Sequence, residues 1–309
     1  MTRVSGKAAA PDKDCAITIG KFESIHTGHK YLIEETRRRA LSRGLSSAVA
    51  TFDPHPRKVL SDPGYKPLFT REERALLLRG ADIDYLLELP FDRDFAAIAP
   101  EDFCGILFGR LRGRVLVVGE NYRFGRDRAG TPETLKRAAG AYDAEVVVLP
   151  HHITEVPGAS SRQKVSTSDI RGLIGRHMLE EAGSLLGFYF FVLGAVEHGR
   201  KIGRTLGFPT VNIKPEPDKF LPPNGVYATR TNHNGRVYKS VTNIGVRPTV
   251  GGGYLGERLI ESFLLGFEGD LYGETLLTEF ISFIRPERRF GDITSLREQI
   301  RQDIMAASE

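Results

Sequence analysis

The feature that most constrains the fold is a change in residue pattern near Leu186. Before it, short apolar runs alternate with amphipathic stretches, and such strand–helix alternation indicates a parallel sheet covered by helices. After Phe188, short runs rich in Val, Tyr, Thr and Phe are separated by Gly, Pro and Asn, which is typical of a small antiparallel β-barrel. We therefore predict an α/β domain over residues 1–186 and an all-β domain over residues 187–309.

Five short apolar runs in the first half have the length of buried strands. They are Cys15–Gly20, Ser47–Phe52, Tyr85–Leu89, Val115–Val118 and Glu145–Leu149. Ligands of parallel sheets bind beyond the carboxyl ends of the strands. The residues that follow Ile19, Phe52 and Val118 are therefore expected to face a site.

Apolar residues at helical spacing predict four helical regions. These are His29–Arg43, Arg71–Arg79, Ser168–Leu186 in two pieces that break around Gly175, and an amphipathic C-terminal segment, Thr294–Met305.

Composition indicates a globular protein, because 40% of the 309 residues are hydrophobic and 27% are charged,. The first residues lack the apolar run of a secretory signal, and no stretch approaches the ~18 apolar residues of a membrane span. Cys15 and Cys104 form no metal or redox spacing. These features together predict a cytoplasmic protein.

The net charge of +4 and the pI of about 9.0 suit an anionic ligand such as ATP,. A run of arginines, Arg37, Arg38, Arg39 and Arg43, lies on one predicted helix. Such a run is usually a solvated face, and no stacking aromatics accompany it. We therefore expect no nucleic-acid partner.

Gly20–His29 reads GKFESIHTGH and connects a predicted strand to a predicted helix. A helix N-terminus offers backbone N–H groups and a favourable dipole to phosphate. His26 and His29 are three residues apart, so both imidazoles can point toward one anion,. This suits charge stabilisation during transfer to the α-phosphorus of a nucleoside triphosphate. From these residues alone, a polar helix start or a partial metal site remains an alternative.

Two further loops follow predicted strands. Thr51–Pro56 is bracketed by prolines, which would hold His55 in one orientation,; read alone, it is equally well a stiff loop. Gly119–Gly125 carries Asn121 and Arg123 at a place where a ligand-binding loop is expected,.

Gly199–Asn212 is the most informative stretch of the second half. Its glycines can form a loop whose N–H groups cradle phosphate, with Lys201 and Arg204 adding charge,. Thr210 and Asn212 alternate on an extended segment, so they point the same way and can offer oxygen ligands to Mg²⁺,. A bare glycine-rich loop is more often a turn than a phosphate site.

The first half resembles the adenylyltransferase part of the bacterial bifunctional riboflavin kinase/FMN adenylyltransferase family, often called FAD synthetase. The match to its HxGH nucleotidyltransferase signature covers Gly20, Phe22, His26, Gly28 and His29. Three more segments are similar to the family's TFEPHP, GxxFxFG and ISSTxIR segments, namely Thr51–Pro56, Gly119–Gly125 and Val165–Arg171.

The second half resembles the same family's riboflavin kinase motif, GRxxGRTLGFPTxN, over residues 199–212. Further family segments follow in the family's order: Pro223–Tyr227, Asn243–Thr249, Gly269–Gly273 and Phe283–Glu287. Glu261 falls where the family carries its catalytic glutamate. Kinase chemistry needs such a base, because the ribityl 5′-hydroxyl must lose a proton as it attacks the γ-phosphorus of ATP.

The resemblance, over about residues 15–305, implies the roles of individual residues. The residues expected to be catalytic are His26, His29 and Glu261, and those expected to hold Mg²⁺ are Thr210 and Asn212. ATP is expected to contact Gly20, Phe22, Glu23, Gly28, Ser166, Thr167, Ser168, Arg171, Gly199, Lys201, Gly203 and Arg204. The flavin is expected to contact His55, Asn121, Arg123, Asn243, Arg247 and Arg285.

The implied function is phosphorylation of riboflavin by ATP followed by adenylylation of FMN to FAD, without a nucleic-acid or membrane partner. The chain departs from the family at Glu23, where Asp is usual, at Ser24, and in the order of Thr167 and Ser168. A kinase with weakened or lost adenylyl transfer is therefore one alternative. A non-catalytic flavin- or nucleotide-binding regulator is another, although the retention of Glu261 speaks against it.

Overall fold

The chain folds into two compact units, Met1–Ser166 and Thr167–Glu309. The computed structural model describes residues 1–8, 10–150, 153–155, 162–198, 207–246 and 258–308. The first unit is a parallel α/β sheet and the second contains a closed antiparallel barrel, which confirms the predicted fold class. The helices between Thr167 and Leu186 belong to the second unit, and the domain boundary near Leu186 stays a prediction.

Six parallel strands form the sheet of the first unit, in the order β1-β4-β3-β2-β5-β6. They are β1 (Thr2–Ser5), β2 (Cys15–Ile19), β3 (Ser46–Asp53), β4 (Tyr85–Pro90), β5 (Gly113–Gly119) and β6 (Glu145–Leu149). A separate hairpin pairs β7 (Ile153–Glu155) with β8 (Arg162–Lys164). The five predicted strands are therefore confirmed, and β1, β7 and β8 are additional.

The edge strand β1 was not predicted because it is short and largely polar. It pairs with β4, and Arg3 reaches from it to the buried carboxylate of Glu88, with Nε 2.6 Å from Oε2. Arg71 contacts the same carboxylate, its Nη2 lying 2.6 Å from Oε2. An ion pair between residues that are far apart in the sequence therefore holds β1 in the sheet, although β1 has few apolar residues.

Six α-helices accompany the sheet in the described part of the first unit. They are α1 (Thr27–Arg43), α2 (Pro56–Leu60), α3 (Arg71–Arg79), α4 (Arg93–Ala96), α5 (Pro100–Cys104) and α6 (Pro132–Ala139). The predicted helices α1 and α3 are confirmed. The unpredicted helices α2, α5 and α6 each begin with proline, which suits the first helical position because its missing N–H has no intrahelical partner there,.

The strand β2 lies at the centre of the sheet and is buried on both faces. Cys15, Ile17 and Ile19 belong to one hydrophobic cluster, and Ala16 belongs to another on the opposite side. A strand covered on both faces needs a continuous apolar run rather than an alternating one. This explains why Cys15–Ile19 carries such a run directly before the GKFESIHTGH loop.

The second unit begins with the helices α7 (Thr167–Gly175) and α8 (Leu179–Leu186), the two pieces predicted around Gly175. The barrel contains β9 (Phe191–Glu197), β10 (Val211–Pro215), β11 (Gly225–His233), β12 (Arg236–Val246), β13 (Arg258–Leu264) and β14 (Thr275–Arg285). Its strand order is β10-β13-β12-β11-β14-β9, and it is followed by α9 (Ile293–Ser308). Throughout the described chain, every helix is too short or too polar to cross a membrane.

The barrel interior contains a chain of hydrogen-bonded hydroxyl groups, which we call the hydroxyl ladder. Its members are all 2% exposed or less, and they are Thr229, Thr231, Ser240, Thr242, Ser262 and Thr278. Thr242 Oγ1 lies 2.7 Å from Thr229 Oγ1 and 2.9 Å from Ser262 Oγ. Buried hydroxyl groups need hydrogen-bond partners, and here they are partners of one another. These side-chain hydrogen bonds join β11, β12 and β13 in addition to the backbone hydrogen bonds between the strands.

Candidate active sites

The GKFESIHTGH loop leaves β2 with two residues in the left-handed region of φ. Phe22 has a φ of 42° and Ile25 a φ of 45°, although neither is glycine. Both side chains are buried, which compensates for the backbone cost,. A Cβ at Gly20 would lie 3.3 Å from the Phe22 ring, so the position favours glycine. The loop is thus tightly packed before α1 begins.

His26 caps α1 with its own imidazole. Its Nδ1 accepts hydrogen bonds from the backbone N–H of Gly28 at 3.1 Å and of His29 at 3.3 Å. The sequence suggested that the backbone N–H groups at this helix start would be open to phosphate. Two of them, those of Gly28 and His29, instead donate to the His26 ring. Because Nδ1 is an acceptor, the ring proton is placed on Nε2, which is then the hydrogen-bond donor of this side chain.

His29 lies directly against His26. The two ring centroids are 3.9 Å apart with an interplanar angle of 14°, and the Phe22 ring lies 5.0 Å from that of His29. The structure therefore brings together the two histidines that the sequence predicted to act on one phosphate group. Their role stays a prediction; their proximity is a property of the fold.

Glu23 is buried among groups that bind its carboxylate. Tyr65 Oη lies 2.8 Å from each carboxylate oxygen, and the backbone N–H of Leu68 donates to Oε1 at 2.9 Å. The Nε2 of His55 lies 3.2 Å from Oε2. Sequence reasoning treated Glu23 as an ATP contact and did not identify these partners, since Tyr65 and Leu68 lie more than 40 residues away.

These contacts keep the Glu23 carboxylate ionised. Burial raises its pKa, but the hydrogen bond and charge of His55, the Leu68 N–H and the Tyr65 hydroxyl lower it further. The net pKa of Glu23 therefore lies below its ordinary value of 4.5,. The length of the glutamate side chain thus lets its carboxylate reach Tyr65, Leu68 and His55.

His55 occupies the N-cap of α2, where both ring nitrogens face protein groups. Nδ1 accepts from the backbone N–H of Arg57 at 3.2 Å, and Nε2 faces Glu23. The ring stacks on Tyr65 with centroids 4.9 Å apart. The structure thus gives His55 a role in holding the turn, while its predicted contact with flavin stays a prediction.

The loop after β5 presents Asn121 and Arg123 at the surface, and Arg123 donates to the backbone oxygen of Tyr122 at 3.0 Å. The ring of Tyr122 stacks on Phe124 with centroids 5.5 Å apart. Two exposed polar side chains on a packed aromatic base are compatible with a flavin contact, which stays a prediction.

The hydroxyl residues of the next predicted segment surround the start of α7. Thr167 and Ser168 are the first two residues of that helix, and Ser166 precedes them. The guanidinium of Arg171 lies 4.3 Å from the centroid of the Phe220 ring. This placement matches the predicted helix start, and binding of ATP by these residues stays a prediction.

In the barrel, Asn212, Glu261 and Asn243 form one row across three neighbouring strands. Asn212 on β10 is the register partner of Glu261 on β13, which in turn is the partner of Asn243 on β12. Register partners point to the same side of a sheet. The next residues, Ile213, Ile260 and Ile244, fill the interior, so the row lies on the outer face.

This row brings a predicted metal ligand beside the predicted base. Thr210 precedes β10 by one residue, and two-residue periodicity places it on the side of Asn212,. Glu197 on β9 is the other register partner of Asn212, and its carboxylate is 3.1 Å from Lys214 Nζ. A small concavity is lined by Glu197, His198, Asn212, Ile213, Lys214, Arg258 and Leu259. Sequence reasoning missed Glu197 because only strand register brings it to the row.

Arg285 has a structural partner that the sequence did not reveal. Its Nε and Nη2 each lie 2.8 Å from an oxygen of Asp303, a buried carboxylate on α9. Gln299 donates to the same carboxylate at 2.8 Å. The guanidinium therefore ties the end of β14 to the C-terminal helix, and its predicted contact with flavin stays a prediction.

Five predicted site residues lie outside the described residues. They are Gly199, Lys201, Gly203, Arg204 and Arg247.

The arginine run on α1 is neutralised by neighbouring carboxylates. Arg37 pairs with Glu34 and Asp82, Arg38 with Glu35, Arg39 with Glu35 and Glu145, and Arg43 with Glu145. This is the arrangement of a solvated, ion-paired helix face.

Family models match both parts of the chain. The model described as FAD synthetase matches residues 8–163, and the model described as riboflavin kinase matches residues 186–309. Both units therefore carry the domain types that the sequence motifs predicted.

Curated relatives match almost the full length. The bifunctional riboflavin kinase/FMN adenylyltransferase of Escherichia coli K12 is 34% identical over 303 residues, covering 97% of this chain and 94% of the relative. The enzyme of the same name from Bacillus subtilis 168 is 34% identical, with coverage of 93% and 89%.

Among solved structures, a crystal structure from Streptococcus pneumoniae described as a macrolide-efflux protein has a TM-score of 0.85 and 27% identity. It covers 97% of this chain and 95% of its own, so the likeness extends over both units. Both family models and the near-complete coverage of the curated relatives agree with the motif analysis. The chain belongs to the bifunctional riboflavin kinase/FMN adenylyltransferase family.

Proposed function

We propose that this chain phosphorylates riboflavin with ATP and then adenylylates the FMN product with a second ATP, forming FAD and pyrophosphate. The observation that carries the proposal is that each unit brings together a pair of the side chains predicted to act there. His26 and His29 stack in the first unit, and Asn212 and Glu261 are register partners in the second.

For adenylyl transfer, an oxygen of the FMN phosphate attacks the α-phosphorus of ATP. A new P–O bond forms, the bond to the bridging oxygen of the β-phosphate breaks, and pyrophosphate leaves. The attacking oxygen is already ionised, so the protein needs to place donors and charge rather than to remove a proton. We assign this task to Nε2 of His26, whose ring is fixed by the cap on α1, and to the neighbouring His29.

For the kinase step, the ribityl 5′-hydroxyl of riboflavin attacks the γ-phosphorus of ATP and ADP leaves. We assign the acceptance of the hydroxyl proton to Glu261, which lies in the middle of the outer row of the barrel,. Asn243, on its other side, is a candidate to orient the flavin.

The outer row fits a magnesium ion by the chemistry of its donors. Thr210 and Asn212 offer a hydroxyl and an amide oxygen, and Mg²⁺ prefers oxygen ligands completed by water and phosphate. Bound there, Mg²⁺ would neutralise charge on the transferring phosphates. Asn212 is also the register partner of Glu261, so a residue that would hold the ion lies on the strand next to the one that carries the proposed base.

The first unit supports adenylyl transfer despite the unusual Glu23. Its carboxylate is held by Tyr65, Leu68 and His55, so the longer side chain is accommodated rather than disruptive. We therefore favour the two-activity reading over a kinase that has lost its second step.

Two separate assays test the proposal. Purified protein with FMN, ATP and Mg²⁺ is expected to release pyrophosphate and FAD in equal amounts. With riboflavin as the flavin, the amount of ADP formed is expected to equal the sum of FMN and FAD. Absence of pyrophosphate in the first assay would refute the assignment of the first unit, and absence of ADP in the second would refute that of the barrel.

A further inference from the structure

Arg74, on α3, is a buried arginine that the motif analysis did not single out. Only 6% of it is exposed. Its Nη1 donates to the backbone oxygen of Lys21 at 3.2 Å and to Thr51 Oγ1 at 3.3 Å. Both Nη atoms lie within 3.5 Å of the backbone oxygen of Phe52.

These acceptors belong to the ends of two neighbouring strands. Lys21 follows β2 by two residues, while Thr51 and Phe52 lie near the end of β3. Thr51 Oγ1 also donates to the backbone oxygen of Lys21 at 2.9 Å. The guanidinium therefore clamps the GKFESIHTGH loop against the segment that leads to His55.

A second link crosses the same gap further along both segments. Glu23 lies two residues after Lys21, and its Oε2 is 3.2 Å from Nε2 of His55, three residues after Phe52. Arg74 and the Glu23–His55 pair thus fix the two segments at two successive points. The first of these segments then leads directly into His26 and the start of α1.

The charge of Arg74 is expensive to bury. Within the described chain, no carboxylate lies close enough to form an ion pair with it, and its Nε has no hydrogen-bond partner. Burial lowers its pKa, while Asp53, Glu88 and Glu23 act on it only at longer range in the opposite direction. An apolar side chain would avoid this desolvation but could not donate to the backbone oxygens of Lys21 and Phe52, so the distinctive contribution of the guanidinium is its contact with both segments,.

We propose that Arg74 is a positioning residue for adenylyl transfer: by holding the carbonyl groups of Lys21 and Phe52, it sets the placement of His26 and His29 relative to the His55 turn. Arg74 acts through these segments and does not itself touch the substrates. The inference rests on the function proposed for the first unit.

The test compares Arg74→Gln with Arg79→Gln in the full chain. Arg79 is an exposed arginine on the same helix, so its replacement removes the same charge without touching the loops. For Arg74→Gln, kcat for FAD formation from FMN is expected to fall about 100-fold, because a small misplacement of reacting groups can reduce a rate by this factor. The KM for FMN should change little, and riboflavin phosphorylation by the same molecules should stay within twofold of wild type.

Arg74→Lys provides the second variant. It keeps the charge but cannot bridge two carbonyl groups with a planar fork, so an intermediate kcat with intact kinase activity is expected. Rates are referred to folded protein, measured by near-UV circular dichroism at the assay temperature. If Arg74→Gln does not fold, Arg74→Lys decides by the same criteria.

Two results would overturn the inference while leaving the proposed function in place. One is an Arg74→Gln variant, or failing that an Arg74→Lys variant, that makes FAD as fast as Arg79→Gln does. The other is an equal loss of both activities per folded molecule. If the wild-type chain itself made no FAD from FMN, the function proposed for the first unit would fail, and the role of Arg74 with it.

Discussion

The imidazole of His26 caps the helix that carries His29, and the two rings stack with their centroids 3.9 Å apart. The Nδ1 of this side chain completes the helix start, and the proposed function assigns its Nε2 a second task as a donor to phosphate. These two tasks can be separated experimentally.

His26→Asn and His26→Ala are expected to differ in stability but not in activity. Asparagine is a good N-cap, so His26→Asn should retain the start of α1, whereas His26→Ala should lower the free energy of unfolding by about 1 kcal/mol. Both remove the imidazole, so FAD formation from FMN should fall about 100-fold or more in each. Urea unfolding and chromatographic separation of flavins measure the two effects. If His26→Asn formed FAD at the wild-type rate, His26 would contribute only as the N-cap of α1.

Glu23→Asp is expected to impair FAD formation rather than improve it. Removing a methylene withdraws the carboxylate from Tyr65, Leu68 and His55, so the rate from FMN should fall about tenfold or more. Glu34→Asp, on the exposed side of α1, is the matched control and should leave the rate unchanged. If Glu23→Asp formed FAD much faster than wild type, the result would instead favour the alternative that adenylyl transfer is weakened in the wild-type chain.

Acid unfolding tests the ionisation of Glu23. Its pKa in the folded chain lies below the ordinary 4.5, so the ionised group stabilises the fold at neutral pH. This contribution is lost as the pH falls through the folded pKa. Wild type should therefore exceed Glu23→Gln in free energy of unfolding at pH 7, and the difference should shrink below about pH 4. A difference that does not change with pH would contradict the assignment.

Glu261→Gln should impair the kinase step and spare adenylyl transfer, the reverse of what the variants of the first unit are expected to do. Loss of the base is expected to lower FMN formation about 10²- to 10⁴-fold. FAD formation from added FMN should stay within twofold of wild type, which also demonstrates that the chain is folded. Glu268→Gln, at an exposed position after β13, serves as the control. Full kinase activity in Glu261→Gln would show that another group accepts the proton.

The hydroxyl ladder predicts an unusual cost for an otherwise mild exchange. Thr242→Val keeps the shape of the side chain but removes the hydroxyl that contacts Thr229 and Ser262. The free energy of unfolding should fall by about 1–3 kcal/mol, because buried partners are left unsatisfied. Thr275→Val, at an exposed position on β14, should change it by less than about 0.5 kcal/mol,. Equal stability of both variants in urea unfolding would contradict the ladder's role.

Local patterns in the sequence were sufficient for the fold class, for five of the six strands of the parallel sheet and for the two longest helices of the first unit. The apolar run Cys15–Ile19 and the helical spacing in α1 carry their own signals, and both were predicted. The strand β1 was missed because its stability comes from β4 and from the Arg3–Glu88 ion pair, a contact across 85 residues. The prolines that open α2, α5 and α6 were a usable signal, but only Pro56 was considered, and it was interpreted as part of a stiff turn.

The candidate sites were predictable where a motif is contiguous. His26 and His29 fall in one short segment, and the fold brings their rings together. Arg74, by contrast, reaches its acceptors across 22 to 53 residues. Similarly, Glu197 joins the outer row of the barrel only through its register with Asn212. Sequence patterns carry little information about such long-range partners, because strand order and register determine them.

The central claim is that one chain performs both steps, and a single time course tests it. Wild-type protein is incubated with riboflavin, ATP and Mg²⁺, and the flavins are separated by chromatography at intervals. We predict that FMN appears first and is then converted to FAD. FMN that accumulates without FAD would contradict the account of the first unit, and riboflavin that remains unchanged would contradict the account as a whole.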